Sequence, residues 1–244
     1  MHPLRLYQGL KMDTHYTYFV ILAASLAGPF GLSFDKKVAF YKKWKYLFPA
    51  MLAPAFLYIA WDIFFTDRGV WSFNEDYVTG LKIINLPLEE VLFFFIVPYC
   101  CVFIYECIRC YFSRLTNRRA GDIILWGLAI LLLVTGLFFY DRYYTSWAFI
   151  FCAAFIGMVY LFRSYFRHFD ATSFLVAFAV ILIPFFLVNG FLTAIPVVMY
   201  NDAEKIGFSI YTIPFEDTFY GMLLVMMNIA FYEKIRNGAL TSSQ

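Results

Sequence analysis

Charge is scarce in this 244-residue chain: Asp, Glu, Lys and Arg together make up 15% of it, where a soluble domain carries about a quarter. A soluble fold of this length has an aqueous surface to cover, and the residues for that task are missing. Histidine is scarcer still, with three residues, His2, His15 and His168. None lies in the helices that carry the acidic motifs, so no metal site is expected. No Gly-x-Gly-x-x-Gly fingerprint occurs, so no flavin or nicotinamide cofactor is expected either. The five cysteines are odd in number and suggest no disulfide framework. Cys107 and Cys110 have the spacing of a redox or zinc pair, but no second pair accompanies them. They read as small apolar residues near a helix end. No cleavable signal peptide is recognised, and residues 1–11, upstream of Met12, read as a start-site extension.

What the chain has in abundance is hydrocarbon: 62% of residues are hydrophobic and 23% aromatic, with a mean hydropathy of +0.69. These residues fall in runs of about 20, the length a helix needs to cross a bilayer. Seven runs start near Tyr16, Leu47, Leu86, Ile123, Thr145, Ser173 and Ile213, and end near Ser33, Phe65, Ile108, Tyr140, Phe162, Phe191 and Tyr232. Backbone amides in lipid must be satisfied within their own segment, so the expected fold class is all-α, an integral membrane bundle of seven helices. Most of the 19 basic residues flank one side of it. Lys36, Lys37, Lys42, Lys43 and Lys45 lie between runs one and two. Arg109, Arg114, Arg118 and Arg119 follow run three, Arg163 and Arg167 follow run five, and Lys234 and Arg236 follow run seven. Arg68, Lys82, Arg142, Lys205 and the tail residues Arg5 and Lys11 fall on the other side. The positive-inside rule then places the N-terminus outside and the C-terminus in the cytoplasm of a cell membrane. Each basic cluster is a short flank of an apolar helix, so no nucleic-acid partner is implied.

A repeat is hidden in the order of the runs. One constant offset carries Leu86-Pro87-Leu88-Glu89-Glu90 onto Ile213-Pro214-Phe215-Glu216-Asp217. The same register carries Tyr105-Glu106 onto Tyr232-Glu233, Gly80 onto Gly207, and Asp62 onto Asn189. The expected organisation is a tail (1–14), a first three-helix repeat (15–110), a linker-helix region (111–144), a second three-helix repeat (145–234) and a C-terminal tail (235–244). An even number of crossings separates equivalent helices, so the two repeats are parallel and put their acidic motifs at one depth.

Glu89, Glu90, Glu216 and Asp217 are the candidate catalytic residues. Acids within a span are costly and usually face a cavity, a partner or a substrate. A competing role is helix capping, since Pro suits a first turn and a carboxylate suits the positive end of the helix dipole; Asn85 and Thr212 would serve as further caps. Neighbouring residues on a helix diverge by roughly 100°, so in each pair one member lines the cavity while the other caps or meets the opposite repeat. In a dry cavity a carboxylic acid can donate a proton to an alkene while an ionised neighbour stabilises positive charge. Asp62 and Asn189 are candidates to orient the motif carboxylates, with plain helix–helix hydrogen bonding as the alternative. Phe93 and Tyr220 lie about one turn beyond the first motif Glu and supply aromatic faces for a cation. Glu106 and Glu233, beside basic residues, read as interfacial anchors, with a second role left open.

At these residues the chain resembles the membrane lycopene β-cyclases, found as two small subunits or one fused chain, and the cyclase half of fungal bifunctional carotenoid enzymes. The matching stretches are Phe40-Tyr41-Lys42-Lys43-Trp44, Leu47-Phe48-Pro49, Trp61-Asp62, residues 86–94, and residues 213–228 through Asn228. The resemblance implies a non-redox isomerisation. An acid protonates the linear ψ-end of lycopene, the cation closes a six-membered ring, and proton loss leaves a β-ionone ring, giving γ-carotene and then β-carotene. It also implies an apolar carotenoid substrate and the lipid bilayer as partners. Trp61 and Asn228 join the substrate-binding candidates through it, and association into a homo-oligomer or with other carotenoid enzymes stays open. The rival reading is a small-solute transporter with parallel repeats, which would line its path with hydrogen-bonding groups. A retinal photoreceptor would need a Lys within residues 214–232, where none occurs. A Mg²⁺-dependent prenyltransferase would need paired Asp-rich motifs, whereas Asp35, Asp122 and Asp170 are isolated.

Overall fold

The structure, a computed structural model, describes residues 14–112 and 118–241. His2, Arg5, Lys11, Met12, Arg114 and the proposed start-site extension lie outside the described residues. Seven α-helices dominate the described residues: α1 (Thr17–Leu32), α2 (Trp44–Asp67), α3 (Leu88–Tyr111), α4 (Arg118–Phe138), α5 (Tyr143–Leu161), α6 (Ala171–Ala194) and α7 (Phe215–Thr241). They coincide with the seven apolar runs to within a few residues, except that α4 begins five residues before Ile123 and α7 continues nine residues beyond Tyr232, as helices do where backbone groups must be paired internally. Five of them, α2 to α6, are long and apolar enough to cross a membrane. The other two differ for plain reasons. Helix α1 has 16 residues, about 24 Å of helix against roughly 30 Å of hydrocarbon. Helix α7 is longer but carries Glu216, Asp217, Glu233, Lys234 and Arg236. The chain is a membrane protein.

Six short strands were not anticipated. β1 (Trp71–Phe73), β2 (Lys82–Ile83) and β3 (Leu86–Pro87) follow α2; β4 (Val198–Tyr200), β5 (Ser209–Ile210) and β6 (Ile213–Pro214) follow α6. The sequence offset that takes Leu86 to Ile213 carries each element of the first set onto its counterpart in the second. It also carries the 3₁₀ turn at Glu75–Tyr77 onto the one at Asp202–Glu204. Details recur at the same spacing. Asn74 and Asn201 cap those turns by accepting from Asp76 N and Ala203 N, and Gly80 and Gly207 both have positive φ, at 82° and 89°. Only glycine adopts that conformation without strain. β2 pairs with β3 and β5 with β6 as hairpins. β1 pairs antiparallel with β4, its centre at Ser72 opposite Met199. That ribbon joins the two equivalent loops across one end of the bundle.

The hairpins also change where two helices begin. Leu86 and Pro87 belong to β3, so α3 starts at Leu88, and Pro87 offers no side-chain cap. The expected caps have other work. Asn85 donates to Ile63 O of α2 at 2.9 Å, and Thr212 bonds Thr193 of α6 at 2.6 Å. Each ties its hairpin to the end of the preceding helix.

Helix α4 packs against α5 and α6, and its closest approach relies on Gly121. A Cβ there would lie 2.4 Å from Thr172 N and 2.5 Å from Thr172 Oγ1. Backbone cannot yield as a side chain can. Gly121→Ala is therefore expected to cost about 1–3 kcal/mol through overpacking and to lower the melting temperature in detergent by several degrees. An unchanged melting curve would show that α4 packs elsewhere.

Candidate active site

Between α1, α3, α6 and α7 lies an apolar cavity of about 530 Å³, within the usual range for small-molecule sites. Its lining on α3 runs from Glu90 to Ile104 and on α6 from Phe178 to Leu192. At 1.5 Å per residue each wall is about 20 Å long, so the cavity is a slot parallel to the helices. Val20, Leu187 and Phe191 line it and are 57%, 61% and 51% exposed. The slot thus reaches the protein surface between α1 and α6, beside the apolar span of α6. The strand ribbon closes one end, with Trp71, Phe73, Val198 and Tyr200 facing inward.

Three carboxyl groups lie at that closed end: Asp62, Glu90 and Asp217, each buried. Helix geometry separates the members of each acidic pair, as the divergence of roughly 100° requires. Glu90 and Asp217 line the slot. Glu89 and Glu216 do not. Glu89 Oε1 accepts from Thr79 N and Glu216 Oε1 from Ile206 N, both at 2.7 Å, and these two amides are again equivalent under the repeat offset. Glu216 also accepts from Thr145 Oγ1 at 2.6 Å. The outward members clamp the loops that lead into α3 and α7.

Tyrosines hold the inward members. Tyr18 donates to Glu90 Oε2 at 2.6 Å. Tyr144 donates to Asp217 Oδ1, and Tyr200 to Oδ2 at 2.9 Å. Tyr144 and Tyr200 stack, with ring centroids 5.7 Å apart and planes 12° apart. Trp71 stands edge-on to Tyr144 at 5.2 Å and to Tyr220 at 5.9 Å. Carboxyl groups framed by aromatic faces in an apolar slot form a place where a cation can be stabilised twice, by charge and by ring quadrupoles.

The family model for lycopene cyclases matches residues 15–108 and 141–235 of this chain. The chain belongs to the lycopene cyclase family. The gap between the two matched segments falls on α4. A bifunctional lycopene cyclase/phytoene synthase from Aspergillus niger is 32% identical over 83 residues, covering 32% of this chain and 14% of the relative. Another from Phaeosphaeria nodorum is 38% identical over 47 residues, 19% of this chain and 8% of the relative. These matches thus span only a small part of each bifunctional relative. No solved structure matches the chain.

For this lycopene cyclase family member, the slot gathers Asp62, Glu90, Asp217, Phe93, Tyr220 and Asn189. Trp61 stands behind it, its ring 5.3 Å from that of Tyr220. Asn228 is buried and bonds Leu224 O at 2.8 Å in its own helix, away from the lining. Asn189 likewise donates to Phe185 O at 3.2 Å, so the orienting bonds to the motif carboxylates come from Tyr18, Tyr144 and Tyr200 rather than from Asp62 or Asn189. These tyrosines carry no sequence mark that separates them from the other 16 of the chain's 19.

Glu106 and Glu233 require a correction. They are 3% and 1% exposed, not interfacial anchors. They form a buried ionic cluster at the far end of α3 and α7. Arg109 pairs with Glu233, Lys43 with Glu106, and Arg236 bridges Glu106 at 2.6 Å and Glu233 at 2.9 Å. A carboxylate this deep survives only when paired and hydrogen-bonded. Asn237 adds a bond to Glu233 at 2.9 Å.

Proposed function

We propose that this protein is a lycopene β-cyclase, converting the linear ψ-ends of lycopene into β-ionone rings by way of γ-carotene to β-carotene. The observation that carries this reading is the cluster of three carboxyls at the closed end of a long apolar slot that opens sideways toward lipid. A linear polyene is a rod that dissolves in the bilayer. It enters between α1 and α6 and places one end against the carboxyls, leaving its other end outside.

The chemistry follows from what that end of the slot offers. One carboxyl gives its proton to the terminal alkene and leaves a tertiary carbocation. The neighbouring alkene attacks it and closes the six-membered ring. A carboxylate then removes a proton beside the new cation, so the product is an isomer of the substrate and nothing is oxidised or reduced. Asp217, with a hydroxyl on each oxygen, stays anionic and stabilises the cation along with Tyr220, Trp71 and Phe93. The dry walls keep water from trapping it. The carbocation needs acid, base and charge stabilisation, all of which come from side chains.

The same reading assigns two parallel three-helix repeats at 15–110 and 145–234, joined by the α4 region. It also puts the N-terminus outside and the C-terminus in the cytoplasm of a cell membrane. The recurrence of strands, turns and bonds at one constant offset supports the first assignment, and the distribution of basic residues the second. The test is expression in a bacterium that accumulates lycopene, followed by pigment chromatography. Monocyclic and bicyclic products are expected. Unchanged lycopene, with the protein present in the membrane, would end the proposal.

A further inference from the structure

The three carboxyls of the slot are not equivalent. Glu90 receives the hydroxyl of Tyr18, and Asp217 receives those of Tyr144 and Tyr200. Hydroxyls placed on these oxygens favour the carboxylate form by donating to it. Asp62 is 2% exposed, and its Oδ2 has no partner among the described residues. The indole N–H of Trp71 is turned toward it but also lacks a partner within bonding distance. A buried charge without donors is too costly to persist, so such a group keeps its proton. Asp62 also breaks the pseudo-symmetry. Its counterpart at the repeat offset is Asn189, an amide bound to its own helix. The slot therefore holds two tethered carboxylates, one from each motif, and one untethered carboxyl from α2.

We propose that Asp62 is the proton donor that starts the reaction, an assignment that rests on the cyclase reading above. Its O–H bond breaks as a C–H bond forms at the terminal alkene carbon, leaving the cation at the substituted carbon. After ring closure Glu90, whose Oε1 is not engaged by Tyr18, removes the proton from the carbon beside the ring cation. That proton then passes from Glu90 to the Asp62 carboxylate, which restores both groups with no net gain or loss. Asp217 remains the anion that faces the cation throughout.

The experiment uses the full chain in detergent with lycopene as substrate, and an analogue bearing a protonated tertiary amine at one end as a cation mimic. Asp62→Asn is expected to lower kcat about a hundredfold or more, with KM within about threefold of the parent. Asp62→Glu, which restores an acid at a displaced position, is expected to recover part of that loss. The cation mimic is expected to bind Asp62→Asn as tightly as the parent and to bind Asp217→Asn more weakly. A merely structural role for Asp62 would not separate these readouts. The assignment is overturned if Asp62→Asn still turns over at close to the parental rate, or if it loses the cation mimic as Asp217→Asn does. It is also overturned if Asp62→Glu is no better than Asp62→Asn. A parent protein that forms no rings would instead bring down the cyclase reading, and this assignment with it.

Discussion

Asp217→Asn is expected to lower ring formation by about a hundredfold to a thousandfold while the protein still inserts and melts normally. Asn matches Asp in shape, and the hydroxyls of Tyr144 and Tyr200, which meet its two oxygens, can each rotate to accept as well as donate. The local packing therefore survives and the charge does not. Removing one preorganised electrostatic partner of a developing charge costs a factor of this size. The slot is apolar, and the only other carboxyls that line it among the described residues, Asp62 and Glu90, have roles of their own, so no second anion takes over.

Two comparisons isolate the charge from the scaffold. Tyr144→Phe with Tyr200→Phe leaves the carboxyl in place but removes both hydroxyls that hold it ionised, and a buried carboxyl without donors takes up a proton, so activity should fall nearly as far as in Asp217→Asn. Glu216→Gln alters the adjacent residue, whose Oε1 clamps Ile206 N and Thr145 rather than facing the slot. It should loosen the loop ahead of α7 and lower stability, with a smaller loss of kcat. Lycopene conversion per mole of folded protein decides the matter. If Glu216→Gln is the more damaged enzyme, the inward and outward members have been assigned the wrong way round.

That assignment also marks the limit of what the sequence alone could tell. Apolar runs of about 20 residues locate the helices because the bilayer fixes their length, and the offset from Leu86 to Ile213 pairs the motifs. Adjacent acids must diverge by about 100°, but which of them turns inward depends on where the neighbouring helices pack. Only the fold reveals that Glu90 and Asp217 face the slot. Tyr18, Tyr144 and Tyr200 escaped notice because interfacial and cavity tyrosines look alike in a chain this aromatic. The β1–β4 ribbon was invisible for another reason: Ser72 and Met199 pair across most of the chain, and three-residue strands have no readable periodicity. The ionic cluster, by contrast, had a legible signal. The offset that carries Tyr105-Glu106 onto Tyr232-Glu233 also carries Arg109 onto Arg236, and reciprocal pairing across the two halves follows from it.

Arg236→Met is expected to be among the most destabilising single changes in the protein. The Arg236 guanidinium bonds both buried carboxylates, Glu106 at 2.6 Å and Glu233 at 2.9 Å, and its own side chain is 14% exposed. Met keeps much of the length and removes the charge. Two carboxylates, 3% and 1% exposed, are then left with Lys43 and Arg109. Breaking a buried ionic cluster on one side costs about 3–5 kcal/mol, equivalent to a fall of roughly 6–20 °C in melting temperature for a chain of this size. Arg109→Met should cost less, because its side chain is 36% exposed and water screens the pairing. The decisive measurement is the triple variant Arg236→Met, Glu106→Gln, Glu233→Gln. Neutralising both carboxylates should restore most of the lost stability, since it removes the deeply buried charge that Arg236 no longer bonds, while Lys43 and Arg109, with side chains 27% and 36% exposed, can turn to water. If the triple variant melts no higher than Arg236→Met, the cluster holds α3 to α7 by packing alone. A chain whose two halves carry matching charges at one depth would then need another explanation for keeping them there.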